Sequence, residues 1–119
     1  MSRRGGINEE RGHMAKYLVE VDYSTEGAKG LLKDGGMKRR TVVENAVREL
    51  GGSIESFYFS FGKKDAVVIH DLPDNVAAAA VSLAVSAAGT GSIITTPLLT
   101  VDEIDRASTK TVGYKAPGA

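Results

Sequence analysis

The chain has 119 residues, with 15 acidic and 15 basic side chains and no cysteine. A net charge of zero supplies no overall field to draw in nucleic acid or an anionic membrane. The absence of cysteine excludes a disulfide framework and thiolate chemistry, and with no secretion signal it points to the cytoplasm.

Residues 1–14 show no apolar periodicity and read as a disordered extension, either a cloning remnant or an upstream segment from a mis-assigned start. What remains, ~95 residues once a loose tail over 108–119 is set aside, is enough for one domain with one core. Residues 16–23 alternate, with Tyr17, Val19, Val21 and Tyr23 on one face and Lys16, Leu18, Glu20 and Asp22 on the other, which predicts a strand. Ser24 or Thr25 then caps a short helix with Ala28, Leu31 and Leu32 on its apolar side. Gly35-Gly36 breaks it. A second helix follows from about Met37 to Leu50, where Val43, Ala46, Val47 and Leu50 form one stripe, and Gly51-Gly52 ends it.

Ser53 to Phe61 reads as the next strand. Phe57, Phe59 and Phe61 are its core face, and Ser56, Tyr58 and Ser60 its polar face. The turn Gly62-Lys63-Lys64 leads into a partner strand over residues 65–72. Pro73 sits at the start of a helix, with Asp74 adding negative charge to its first turn. From Asn75 to Val101 the chain runs 27 residues without a charged side chain. The helix inside this run, to about Ala88, lacks the charged face of a surface helix, so a second subunit is expected to cover it. It is too short, and too broken by Gly89 and Gly91, to span a membrane. A last strand covers residues 92–99, and Thr100 with Glu103 forms a capping box for a final helix to about Ala107.

With the paired helices collapsed, the order is βαββαβ. The predicted fold is α+β and ferredoxin-like, a four-stranded antiparallel sheet with helices on one face. Two such bare sheet faces placed together make a dimeric α/β barrel.

An ordered series of short motifs spans this domain. It consists of Lys16-Tyr17-Leu18-Val19, Glu26-Gly27 with Gly30-Leu31-Leu32-Lys33, Gly35-Gly36 with Arg39-Arg40, Gly51-Gly52 with Glu55-Ser56-Phe57-Tyr58-Phe59, and Phe61-Gly62-Lys63-Lys64-Asp65. The series resembles the GYD domain family over about residues 15–107, and the resemblance implies a dimeric α/β barrel. The family's signature turn maps to Gly62, Lys64 and Asp65, with Lys64 standing where the family has tyrosine. A related hairpin occurs in the ligand-sensing domains of leucine-responsive regulators, which bind effectors between subunits. No helix-turn-helix segment accompanies it here.

Four groups of residues are candidates for chemistry. Gly62 and Asp65 shape the hairpin turn and either contact a ligand or serve the turn alone. His70 is a lone histidine on a strand, with Asp71 on the opposite face, so the two form no dyad. Glu20, Asp22 and Tyr58 occupy polar strand faces that either line an inter-sheet pocket or form a solvated or interface face. Arg39 and Arg40 lie four and three residues before Val43, so one of them borders the stripe of the second helix, and the pair either receives a carboxylate or phosphate or belongs to a solvated basic edge. No histidine–cysteine set for a metal, phosphate loop, dinucleotide fingerprint or catalytic triad is present, and no cofactor is expected.

The sequence therefore predicts a small homo-oligomer, dimeric or larger, that binds a small molecule between subunit sheets without catalysing a reaction. Glu20, Tyr58, Asp65 and His70 would line that site, with Arg39 at its rim. Two alternatives stay open. One is a cofactor-independent oxygenase or isomerase of the dimeric α/β-barrel class, in which His70 would reach Tyr58 or a carboxylate. The other is a purely structural oligomer with a filled interface.

Overall fold

The fold is given by a computed structural model that describes residues 14–119. All but the last residue of the expected N-terminal extension lies outside those residues. The elements are β1 (Ala15–Tyr23), α1 (Thr25–Asp34), α2 (Gly36–Glu49), β2 (Ser53–Phe59), β3 (Ala66–Leu72), α3 (Asn75–Ala88), β4 (Gly91–Leu98) and α4 (Val101–Ser108). The sheet order is β2-β3-β1-β4, with every neighbouring pair antiparallel. This is the ferredoxin-like arrangement predicted from the order of elements.

The core lies on one face of the sheet. Tyr17 and Val19 of β1 and Val68 and Leu72 of β3 meet Val47 of α2 and Ala77 and Ala78 of α3. Fully buried Val and Leu side chains such as Val47 and Leu72 each contribute about 1.5–3 kcal/mol. The two alanines let α3 lie close on the strands. The Tyr17 hydroxyl donates to Asn75 Oδ1 at 2.6 Å, joining β1 to the start of α3.

The helix boundaries follow local chemistry. Ser24 caps α1 by accepting from the Gly27 N–H at 3.1 Å. Gly51 and Gly89 take positive φ just beyond α2 and α3. Thr100 and Glu103 close the expected capping box on α4. Asp74 is the cap of α3, accepting from the Ala77 N–H at 2.9 Å, so the helix begins at Asn75, two residues later than the proline suggested.

Two packing expectations are corrected. Leu32 and Ala28 of α1 are exposed. Gly27 is instead the buried contact, because α1 meets the backbone of Thr90 where a side chain would collide. Of the three phenylalanines only Phe57 packs against the core. Phe59 is 42% exposed and Phe61, beyond the strand, is fully exposed. An irregularity in register between Ile54 and Ser56 also brings Ile54 onto the core side with Phe57.

Candidate functional site

The sheet face away from α1, α2 and α3 is the first candidate. Register places its side chains in rows across the strands. One row reads Tyr58, Val67, Glu20, Ile94, and the next reads Ser56, Ile69, Leu18, Thr96. The two middle strands thus present Val67, Ile69 and Leu18 around Glu20, and on the edge strands Ile94 is 49% and Tyr58 69% exposed. Charge pairs stand at both ends. Lys16 Nζ lies 2.6 Å from Glu55 and 2.7 Å from Asp71, and these partners raise the Lys16 pKa, Asp71 most strongly. At the other end Lys64 Nζ lies 3.0 Å from Asp22.

Glu20 differs from these carboxylates. It is half-buried among Leu18, Val67 and Ile94, and it makes no ion pair among the described residues. Tyr58 lies two strands away across Val67, at about 10 Å by the strand spacing, so the two side chains share a face without touching.

The helix α4 borders one end of this face. Its residues Val101, Glu103 and Arg106 share a hollow of about 510 Å³ with Lys16, Ile69 and Leu98. No residue of α4 is buried. Val101 is 81% exposed and Ile104 51%, so the helix has an apolar side with no cover.

The remaining predicted site residues lie elsewhere. Asp65 serves the backbone: its Oδ2 accepts from the Tyr23 N–H at 2.8 Å. The turn before it is local too, since the Gly62 N–H donates to Ser60 Oγ at 3.0 Å. Lys64, in the position of the signature tyrosine, is spent on Asp22.

His70 points into the core beside Tyr17, on the opposite side of the sheet from Glu20 and Tyr58. Neither ring nitrogen has a hydrogen-bond partner among the described residues, and burial pushes its pKa below the ordinary value. The expected line-up of His70 with Glu20 and Tyr58 is corrected, because β3 turns alternate residues to opposite faces. His70 likewise makes no hydrogen bond to Tyr58 or to a carboxylate among the described residues, which the oxygenase or isomerase alternative needed.

Arg39 is also on the helix side. It lies at one end of a cleft of about 490 Å³ between α2 and α3, with Tyr23. The spacing from Val43 allowed either Arg39 or Arg40 to border the stripe, and the structure separates them. Arg40 is exposed and pairs with Glu44 at 3.1 Å, while Arg39 borders the buried stripe. This cleft was missed in the sequence, although the stripe Val43, Ala46, Val47, Leu50 and the charge-free face of α3 are its two walls.

Among the described residues no cluster of His, Asp and Glu is placed to hold a metal ion. No helix there is long and apolar enough to cross a membrane. The model of the GYD domain family matches residues 17–108. Neither a curated protein nor a solved structure matches the chain.

Proposed function

The chain belongs to the GYD domain family, and we propose that it works as a small homo-oligomeric module that binds a polar small molecule between the open faces of two sheets. The observation that carries this reading is Glu20, a carboxylate on a central strand that has apolar neighbours and no ion pair among the described residues. The apolar rows around it favour association with a second copy. Covering an ionised carboxylate with no partner is strongly unfavourable. A ligand with a cationic or hydrogen-bond-donating group resolves that conflict, and the Tyr58 hydroxyl adds a second polar contact from the same row. The uncovered apolar side of α4 gives a second copy further surface to meet, and the exposed Val76 and Leu83 of α3, on the other side of the sheet, are open to an additional copy in a larger assembly.

The test is native mass spectrometry of protein freshly purified from cells, under gentle and then denaturing conditions. The reading expects an oligomer that carries a small mass, with that mass lost in Glu20→Gln. An oligomer free of any bound mass favours the structural alternative, and retention of the mass in Glu20→Gln removes Glu20 from the site.

A further inference from the structure

The cleft between α2 and α3 is lined by Val42, Val43 and Leu50 on one side and by Ala80, Ala84 and Val85 on the other, with Val21 of β1 among its residues. Its volume, about 490 Å³, is that of a small-molecule site. The apolar lining is broken at few places. Arg39 and Tyr23 contribute at one end, and Glu49 contributes from the last turn of α2. Arg39 and Glu49 are ten residues apart on the helix, which separates them by about 15 Å along its axis.

Arg39 is the cation of α2 with no assigned work. Lys38 pairs with Asp34 and Arg40 with Glu44, each one turn away, and Arg48 donates to Asn45. Arg39 is half-buried and makes no ion pair or side-chain hydrogen bond among the described residues. Its charge acts on the neighbouring Tyr23 phenol, whose pKa burial raises and Arg39 lowers. The Tyr23 hydroxyl likewise finds no partner among the described residues.

We propose that this cleft binds a monocarboxylate amphiphile of the medium-chain fatty-acid type, with its carboxylate on Arg39 and Tyr23 and its alkyl chain along α2 and α3. The charges set the class and the direction. Guanidinium and phenol together offer charge-assisted hydrogen bonds to a carboxylate. The valines and alanines match an alkyl chain and offer nothing to a polar one. Glu49 disfavours a second anionic group at the far end, which argues for one carboxylate rather than two. The small side chains of α3 are part of the same device, because alanines at 80 and 84 leave the width that leucines would fill. The site is on the opposite face of the sheet from Glu20, so it stands or falls apart from the proposed association surface.

Titration of the full chain with decanoate, followed by isothermal calorimetry and by the methyl resonances of valine and alanine, tests the proposal. The expected result is saturable binding that shifts methyls of α2 and α3. Decanol should bind about tenfold more weakly, and Arg39→Gln should weaken decanoate by about tenfold or more, the worth of a hydrogen bond to a charged group. Ala84→Phe, which fills the cleft, should abolish binding. Circular dichroism checks that this variant is folded, and Arg39→Gln, at the rim, supplies an independent answer if it is not. Absence of saturable binding overturns the proposal, as does equal affinity for decanoate and decanol, or affinity unchanged by Arg39→Gln. Sedimentation of the Arg39→Gln protein separates this result from the association reading, since the variant leaves the open face intact.

Discussion

The Asp65 carboxylate accepts the backbone N–H of Tyr23 at 2.8 Å, while the Asp65 N–H donates to the Val21 carbonyl at 2.9 Å. One residue of the hairpin turn thus holds the end of β1 from both sides. The Ser60 N–H closes the turn onto the Asp65 carbonyl at 2.8 Å. The aspartate of the family signature is therefore part of the scaffold in this chain.

Asp65→Ala is expected to destabilise the fold by about 1–3 kcal/mol, because it strips a partly buried backbone N–H of its acceptor. Asp65→Asn keeps an oxygen there and should cost less. Lys64→Ala removes only an ion pair whose aspartate is more than a third exposed, and should cost less than about 1 kcal/mol. Urea unfolding of the three variants checks this order.

His70 makes stability depend on pH in a defined direction. Its imidazole is buried with no hydrogen-bond partner among the described residues, and burial is the main cause of its lowered pKa. The unfolded chain takes up the proton near the ordinary value of 6.5, whereas the folded chain does so only at lower pH. Between those two values the unfolded state holds more protons, so stability falls as pH drops below about 6.5. The contribution is fully present above that pH. In His70→Phe this part of the dependence should disappear from thermal melts recorded between neutral pH and the mildly acidic range, whatever the variant does to overall stability.

Two glycines of α1 should respond to alanine in opposite senses. A Cβ on Gly27 would collide with the Thr90 carbonyl oxygen and crowd the Tyr23 ring. Backbone atoms cannot move aside as a side chain can, so Gly27→Ala should cost about 1–3 kcal/mol. Gly30 has open space around it. Gly30→Ala therefore gains helix propensity and should stabilise by up to about 1 kcal/mol. Melting temperatures of the pair, measured side by side, provide the check.

The order of elements was legible because its signals are local. Alternation in β1, glycines after α2 and α3, and the Thr100–Glu103 box each act over a few residues. The face to which His70 turns was harder to read. β3 is a central strand, so Val67 and Ile69 on one side look as apolar as Val68 and Leu72 on the other. Only the register, which sets His70 beside Tyr17 and Val67 beside Glu20, decides between them. The phenylalanine alternation of β2 misled for another reason. β2 is an edge strand with an irregular register, and regular alternation carried past its end placed Phe61 in a core that stops before it. Glu20 and Tyr58 were read on the correct face because β1 and β2 are plainly two-faced. The cleft beside Arg39 needed the spacing between two helices distant in sequence, which no local pattern encodes.

The central claim is that the open sheet face meets a second copy of the chain. Sedimentation velocity of the wild-type protein and of Ile94→Glu tests it most directly. Ile94 is half exposed on the edge strand β4, directly across from Glu20, so glutamate there leaves the monomer's core untouched but sets two like charges side by side where two sheets would pack. The account predicts a wild-type dimer or larger assembly at micromolar concentration, and a folded monomer for Ile94→Glu. A wild-type monomer, or an Ile94→Glu protein that assembles as the wild type does, would contradict it.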